Sequence, residues 1–362
     1  MSGIAPGSDL PIEPNERNRS MSQPNAPVQA PTLASYLEQE LRLGEPQSHD
    51  ALTVYPVFSG SPRQPYISFA QGRDQGVVIK ELDQGATVND VLVHNPAAAP
   101  VLLFEGEEVL GAQQNRNFDV TALVPAGQRL QVPVSCVEAG RWDGSRSAES
   151  FDLSPQASYA ELRRYKAMMI RRNLELGGPA RANQREVWDR VAAKSARMGV
   201  KSPTGAMHDV YEARRGRLHD YVEGLPIAEG QCGSLVAIGG RFVVLDWVSR
   251  SEVFASLHGA LLQGYALDAL EAETSAPVEP PSRDEADAFL ALATGARTGE
   301  RDGIGLGREV RFAEGALVGT GLAVDRELVQ VTVHNGEVDQ EPTSPRSLAA
   351  RRIGRPSRRR GA

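Results

Sequence analysis

Short apolar runs broken by turn residues dominate the chain from residue 50 to residue 142. The strand candidates among them are Leu52–Phe58, Tyr66–Phe69, Val77–Glu81, Val88–His94, Val101–Phe104, Phe118–Val124 and Gln128–Val137. Gly, Pro and Asn separate these runs at hairpin-like intervals, and no interval is long enough for a crossover helix. Because neighbouring parallel strands need such crossovers, the pattern predicts an antiparallel sheet or a sandwich.

The hydrophobic period changes to that of helices after Tyr159. Apolar residues then recur every three to four positions, which predicts three amphipathic helices with breaks at Gly177–Pro179 and near Pro203. The third of these helices is expected to run from Met207 to Tyr221. A further short amphipathic helix is predicted at Thr32–Leu43, where the folded part of the chain should begin.

Strands return in the last third of the chain. Two strands joined at Gly239–Gly240 predict a hairpin. The helices expected after it are Ser251–Leu270 and Asp284–Leu292, and the closing strands are Glu309–Phe312, Ala316–Val324 and Leu328–His334. The last strand alternates valines with Gln330, Thr332 and His334, which is typical of a strand with one face in solvent.

This order of elements predicts an α+β fold with a mainly antiparallel sheet or β-sandwich-like N-terminal part, central helices and returning C-terminal strands. We expect one domain over residues 31–338, strand-rich over 50–142, helical over 156–223, and mixed strand and helix over 231–336. The N-terminal segment 1–30 is rich in Pro, Asn, Ser and Gln, and the tail 339–362 is rich in Arg. Both are predicted to be disordered.

Composition excludes several classes of protein. No apolar run approaches the roughly 20 residues that span a bilayer, and the N-terminus lacks a secretory signal pattern. The chain has only two cysteines, Cys136 and Cys232, which excludes a multi-cysteine metal site and suits a reducing compartment. The six histidines show no paired metal spacing. We therefore expect a cytoplasmic protein without a metal or cofactor.

The net charge of -7 is unevenly distributed along the chain. Seven arginines and no acid lie between Arg346 and Arg360, and residues 161–223 hold 14 Lys and Arg against 8 Asp and Glu. These basic segments are either solvated or in contact with a polyanion. Aromatic residues are sparse among the tail arginines, so no sequence-specific nucleic-acid binding is predicted. The sequence leaves the oligomeric state open.

Carboxylate, amide and guanidinium groups are concentrated between Val101 and Trp142, beside apolar residues that should be buried. Such groups are costly to bury unless they pair or bind something. If the chain is extended here, Glu105 and Glu107 project from one face and can act as acid and base or bind a cation. They are the predicted catalytic residues. The alternative is that they pair with Arg116 and Arg141.

The predicted binding residues come from the same segment and are Gln113, Asn115, Arg116, Cys136, Glu138, Arg141 and Trp142. The guanidinium group of Arg116 suits a carboxylate or phosphate ligand, or else it bridges to Glu138. Cys136 is a nucleophile only if a nearby cation favours its thiolate, and otherwise it is an inert buried thiol. Trp142 either stacks on a base or sugar or covers the sheet.

Two other patterns have simpler interpretations. The His-Asp pairs at His208 and His219 are eleven residues apart, and we interpret both as polar pairs on a helix surface. The glycines between Gly303 and Gly307 lack the spacing and the flanking elements of a nucleotide-binding loop, so they predict a plain glycine-rich loop.

The stretch VLLFEGEEVLGAQQNRNFDV, followed by VPVSCVEAGRW, resembles the ARG and Rhodanese-Phosphatase-superfamily-associated Protein domain family of bacterial proteins. The resemblance runs from about Leu33 to Asn335 and includes LTVYPVF, VWDRV and SPTGAMHDVY. The family name records predicted gene-neighbourhood links to ADP-ribosylglycohydrolases and to rhodanese or phosphatase-superfamily enzymes. The resemblance implies a functional context and no catalytic residues.

Three functions are open at this point. The preferred one is an accessory module that binds a small anionic, nucleotide-like metabolite related to ADP-ribose, because donors are abundant and no nucleophile–base pair is recognisable. The second is a hydrolase or transferase in which Glu105 or Glu107 acts as base or metal ligand and Arg116 stabilises negative charge. The third is a non-catalytic interaction scaffold whose polar groups hold the fold together.

Overall fold

A computed structural model describes residues 30–38, 40–60, 62–273 and 278–336. It confirms the α+β class, with strands first, helices in the middle and strands at the end. Apart from Ala30, the two segments predicted to be disordered lie outside the described residues. No described helix combines the length and the apolar character that a membrane crossing requires.

The described residues form nineteen strands and seven α-helices. The strands before the central helices are β1 (Arg42–Leu43), β2 (Gln47–His49), β3 (Leu52–Phe58), β4 (Ile67–Ser68), β5 (Val78–Lys80), β6 (Asp90–Asn95), β7 (Val101–Leu103), β8 (Glu107–Gly111), β9 (Arg116–Phe118), β10 (Ala122–Val124), β11 (Gln128–Cys136) and β12 (Phe151–Ala157). The helices are α1 (Phe69–Arg73), α2 (Ala160–Glu175), α3 (Gln184–Arg197), α4 (Met207–Glu212), α5 (Arg215–Gly224), α6 (Ser251–Ala272) and α7 (Arg283–Gly295). The later strands are β13 (Gly233–Ile238), β14 (Arg241–Val248), β15 (Thr298–Asp302), β16 (Ile304–Gly305), β17 (Arg308–Glu314), β18 (Leu317–Val324) and β19 (Glu327–Asn335).

The strands form three sheets. The largest has nine strands in the order β1-β3-β13-β14-β19-β18-β17-β15, with β2 also paired to β3, and all of its pairs are antiparallel. A six-stranded sheet has the order β12-β8-β9-β11-β6-β5. The third sheet, β16-β10-β7-β4, contains two short parallel pairs, β10 with β16 and β4 with β7. The large sheet therefore joins strands from both ends of the folded region.

Both faces of the large sheet are buried. Val331 and Val333 of β19 contribute to one core, whereas Val329, which lies at the register shift between Gln330 and Leu328, contributes to the other. The first core includes Phe289 of α7, and the second includes Phe254 of α6. Helices thus cover the sheet on both sides.

The prediction that the last strand has one face in solvent is wrong. Gln330, Thr332 and His334 of β19 are as fully buried as the valines between them. Their face meets a layer of polar side chains that includes Arg163 of α2, which donates to the Thr332 hydroxyl at 3.4 Å. Alternating polar residues look the same in a sequence whether they face water or a buried polar partner.

The predicted helix at Thr32–Leu43 is also wrong. One short 3-10 helix, Leu33–Tyr36, is followed by β1, which pairs with β3. The backbone of Leu33 donates to the Ala296 carbonyl at 3.0 Å, so contacts with distant segments decide the local conformation here. Tertiary context overrides a weak local preference.

Two other predicted elements are each divided into two in the structure. The helix expected from Met207 to Tyr221 is two helices, α4 and α5, because Arg214 leaves the helical conformation. The strand expected at Phe118–Val124 is also divided, since β9 belongs to the six-stranded sheet and β10 to the four-stranded sheet. Strands β8 and β12 were not predicted. By contrast, β3 matches its predicted bounds, and the hairpin at Gly239–Gly240 is confirmed.

Candidate functional site

The Glu-Gly-Glu-Glu segment lies where the chain crosses from the four-stranded to the six-stranded sheet, between β7 and β8. Gly106 has a φ of +86° and its N–H donates to the Phe118 carbonyl at 3.0 Å. A Cβ at this position would lie 2.7 Å from Cδ of Arg163, so both the conformation and the space require glycine. Glu105 and Gly106 therefore form a turn that leads into β8 at Glu107, and the continuous extended geometry expected for Glu105 and Glu107 does not occur.

Glu105 pairs with Arg163 of α2, a fully buried side chain. The Nε and Nη2 atoms of Arg163 donate to Oε1 of Glu105 at 3.0 and 2.5 Å. On its other side, Arg163 donates to both carboxylate oxygens of Asp246 at 2.7 Å. The alternative pairing of Glu105 with Arg116 or Arg141 is therefore wrong. One guanidinium group joins the turn, the helix and the large sheet.

Asp246 completes the network around Arg163. It accepts hydrogen bonds from the hydroxyl groups of Tyr265 and Thr332, the latter at 2.7 Å. Burial alone would raise the pKa of Asp246, but the guanidinium of Arg163 holds that pKa below its usual value. Since buried charges persist where they are paired and hydrogen-bonded, we attribute a structural role to this network.

His334 lies at the edge of the network, and neither ring nitrogen has a hydrogen-bond partner among the residues that the structure describes. Its Nε2 atom is 3.8 Å from Oε1 of Glu105. Burial lowers the pKa of His334 to about 3, and the nearby Arg163 acts in the same direction. The imidazole is therefore neutral at physiological pH.

Glu107 and Glu108 are buried acids without a Lys or Arg partner among the described residues. Oε2 of Glu107 accepts from the Phe104 N–H at 2.7 Å, and burial raises the pKa of Glu107 to about 7. Oε2 of Glu108 accepts from Ser154 at 2.8 Å and Gln156 at 2.7 Å, while its Oε1 atom has no hydrogen-bond partner in the described ranges. Burial raises the pKa of Glu108 to about 8, so it holds a proton at neutral pH.

His208 lies beside Glu108, a proximity that the sequence interpretation missed. Its Nδ1 atom is 2.6 Å from Nε2 of Gln156 and 3.9 Å from Oε2 of Glu108. His208 is partly buried, and desolvation lowers its pKa. The interpretation as a plain surface pair with Asp209 is wrong, whereas His219 is exposed and pairs with Glu223. In the sequence, the position of His208 inside the SPTGAMHDVY motif is the feature that could have pointed to this residue.

Arg116 on β9 is fully buried. Its Nη1 atom donates to Oε1 of Gln114 at 3.0 Å and to the sulfur of Cys136, and its Nη2 atom lies 3.5 Å from Oε1 of Glu81. The predicted bridge to Glu138 is therefore wrong, because Glu81 is the carboxylate that Arg116 meets. The guanidinium nitrogens are enclosed by protein groups.

Cys136 lies beneath this arginine at the end of β11. Burial raises the pKa of the Cys136 thiol to about 12, despite the opposing effect of Arg116. A thiol with such a pKa supplies almost no thiolate at neutral pH. The geometry therefore favours the inert buried thiol over the nucleophile.

Glu138 and Arg141 form the outer ion pair of the cluster, with 2.7 Å between Oε2 and Nη2. Arg141 also donates to the Ala112 carbonyl at 2.8 Å and to Oδ1 of Asn115 at 3.0 Å. Burial alone would raise the pKa of Glu138, but hydrogen bonds, first that from Arg141, lower it. Gln113 is buried, and its side-chain oxygen has no hydrogen-bond partner within the described part of the chain.

Trp142 is 50% exposed. The other exposed large apolar side chains of the described residues are Met168, Leu176, Ile227 and Leu292, none of which is aromatic. The guanidinium carbon of Arg116 lies 5.7 Å from the centre of the indole ring, within the range of a cation–π contact. The structure thus brings the seven predicted binding residues into one cluster and leaves Glu105 and Glu107 outside it.

One group of acids has the spacing of a metal site. The carboxylate oxygens of Glu161, Asp268 and Glu271 lie within 4.8 Å of one another. Lys194 already places its ammonium group 2.6 Å from Asp268 and 2.5 Å from Glu271, and Arg197 pairs with Glu161. These cations neutralise the acids, so the group gives no support for a metal.

The fold and the cluster define an α+β domain with a buried acid–arginine network and a neighbouring aromatic surface. The model of the ARG and Rhodanese-Phosphatase-superfamily-associated Protein domain matches residues 40–334, and the chain belongs to this family. The resemblance inferred from the sequence motifs is thereby confirmed. No curated protein and no solved structure matches the chain.

Proposed function

We propose that this protein is an accessory binding module for a small anionic, nucleotide-like metabolite related to ADP-ribose. The proposed contact area, called the Trp142 surface below, consists of Gln113, Asn115, Arg141 and Trp142, with Arg116, Cys136 and Glu138 beneath it. The half-exposed indole of Trp142 carries the proposal, because it offers a large aromatic face on which a planar ligand can stack.

The side chains around Trp142 suit a planar, polar ligand. Arg116 lies near the indole and helps to fix its position, and stacking of a base on such a ring contributes roughly 1–3 kcal/mol. Arg141 keeps 19% of its side chain exposed, and the amide of Asn115 adjoins it. These groups can donate to ribose hydroxyls or a phosphate. The family name, which records an association with ARG proteins, agrees with this ligand class.

The interaction scaffold is the second candidate function. It is favoured by the way the inner charges of the cluster pair off, Arg116 with Glu81 and Arg141 with Glu138. The catalytic alternative has less support. Glu105 is engaged by Arg163, and Glu107 accepts from a backbone N–H inside the protein. A catalytic role for these two residues remains a prediction.

Tryptophan fluorescence tests the proposal directly. ADP-ribose, AMP and ribose 5-phosphate are titrated into the wild type, Trp142→Ala and the control Trp188→Phe. We expect saturable quenching by ADP-ribose in the wild type and the control, and its loss in Trp142→Ala, which should remain folded because the side chain is half exposed.

Two results would overturn the binding proposal. One is the absence of a saturable response to millimolar ADP-ribose in folded wild-type protein. The other is equal affinity of the wild type and Trp142→Ala by calorimetry. If no ligand binds and Arg116→Met only lowers the free energy of unfolding, the scaffold is the better description.

A further inference from the structure

A second surface feature lies apart from the Trp142 surface, between the C-terminal half of α2 and the edge of the large sheet. It is a groove of about 300 Å³, within the usual size range of small-molecule sites. Arg171, Leu174 and Glu175 of α2 line one side, and Arg297, Arg311 and Val318 line the other. We call it the arginine groove. It shares no residue with the Trp142 surface.

Arg311 of β17 is the most enclosed cation of the groove. Its Nε atom donates to Oε1 of Glu309, while its two terminal nitrogens find no acceptor in the described ranges of the chain. Desolvation lowers the pKa of Arg311, and the positive charges of Arg301 and Arg171 lower it further, although Glu309 opposes them. The positive field around Arg311 is thus incompletely neutralised by the part of the chain that the structure describes.

The neighbouring arginines also retain free donors. The Nη1 atom of Arg301 is buried without a hydrogen-bond partner among the described residues, and its Nε atom is 3.9 Å from Oε2 of Glu309. Arg297 is exposed, and within the described part of the chain its side chain forms no ion pair or hydrogen bond. Arg171 pairs with Glu175 at 2.8 Å. Four guanidinium groups therefore lie near only two carboxylates in the described part of the chain. The cations are Arg171, Arg297, Arg301 and Arg311, and the acids are Glu175 and Glu309.

There is open space beside Arg311 on the surface of the large sheet. Gly299 of β15 pairs with Arg311 across the strands, and a Cβ at Gly299 would meet only the Arg311 carbonyl, at 4.0 Å. Leu174 and Val318 supply apolar surface beside the charged groups. The groove thus offers space, guanidinium donors and a small apolar wall. Its two carboxylates would repel a long polyanion, so the groove suits a small anionic group better.

We propose that the arginine groove binds the phosphate group of a small phosphorylated ligand, held by Arg297 and Arg311 with Arg171 at the opposite wall. The planar guanidinium group matches phosphate oxygens in a bidentate manner. A phosphate placed here supplies the acceptors that these arginines lack among the described residues. This site is additional to the proposed Trp142 surface and does not depend on it.

Calorimetry and phosphorus NMR on the full chain test the inference, with inorganic phosphate and pyrophosphate as probes at low ionic strength. The variants are Arg297→Gln and Arg311→Gln. Arg283→Gln on α7 is the matched control, since it removes the same charge from an exposed arginine that pairs with Asp287. We expect saturable binding that weakens roughly tenfold in each groove variant and stays unchanged in the control.

Two results would overturn the proposed phosphate site. It is overturned if pyrophosphate shows no saturable binding, or if Arg283→Gln weakens binding as much as the groove variants do. Should Arg311→Gln fail to fold, as judged by circular dichroism, Arg297→Gln decides alone because its side chain is exposed. Trp142→Ala should leave phosphate binding intact. A loss in that variant would mean that the phosphate binds at the Trp142 surface instead.

Discussion

Glu108→Gln should make the protein more stable at neutral pH. Glu108 is fully buried, and its pKa rises from 4.5 to about 8 on folding because burial disfavours the charged carboxylate. At pH 7 the unfolded chain has lost this proton while the folded protein keeps it. Folding must therefore take up a proton, and the free energy of unfolding falls as pH rises from 4.5 toward 8. With about 1.4 kcal/mol per pKa unit, this effect amounts to about 3 kcal/mol at pH 7.

Glutamine removes the titration and keeps the contacts. Its amide oxygen can accept from Ser154 and Gln156, as Oε2 of Glu108 does now. We therefore expect the free energy of unfolding of Glu108→Gln to exceed that of the wild type by about 3 kcal/mol near pH 7. The difference should be larger near pH 8 and almost absent near pH 4.5. Urea unfolding at a series of pH values across this range measures the difference as a shift in midpoint.

Glu138→Gln is the matched control, with an effect of opposite sign. The pKa of Glu138 is held low by its hydrogen bonds, first that from Arg141, so its ionised form stabilises the folded state. This variant should be less stable than the wild type at neutral pH, and the difference should shrink in acid. If Glu108→Gln is instead destabilising at pH 7, or its effect is independent of pH, Glu108 is ionised in the folded protein and the reasoning fails.

Three further changes test the interior. Arg163→Met should lower the free energy of unfolding by about 3–5 kcal/mol in urea, because it leaves two buried carboxylates unpaired; an unchanged midpoint would contradict the network. The pKa of His334 falls to about 3 on folding, so the wild type should lose up to about 5 kcal/mol of its free energy of unfolding as pH falls from 6.5 to 3. His334→Phe should remove this loss, and parallel acid-unfolding curves for variant and wild type would refute this. In a Cys232→Ser background, Cys136 should react with a thiol reagent only after unfolding, because its pKa is about 12; rapid labelling of folded protein would show an accessible thiolate.

Local patterns predicted those elements whose conformation depends on nearby residues. The seven-residue strand β3 has its expected bounds, and α6 begins at the predicted Ser251 because a long apolar stripe dominates its packing. The hairpin at Gly239–Gly240 follows from two glycines, both with positive φ. In each of these cases, the residues that determine the structure are neighbours in sequence.

The features that could not be predicted depend on contacts between distant residues. Thr332 is 169 positions from the Arg163 side chain that donates to it, and no local period reveals that distance. Glu105 likewise meets an arginine 58 positions away rather than one of its near neighbours. The composition of the candidate cluster was therefore predictable, whereas the pairing of its charges required the fold.

The cluster separates into an inner and an outer layer, and this division determines how the experiments are interpreted. In the inner layer, Arg116 is enclosed by Gln114, Cys136 and Glu81, so its removal affects stability whatever the protein binds. In the outer layer, Trp142 is half exposed, so its removal should affect binding with little effect on stability. A ligand role for the segment therefore depends on Trp142 and the partly exposed Arg141. Loss of binding in Arg116→Met alone would not support that role, because loss of the enclosed charge disturbs the surface above it.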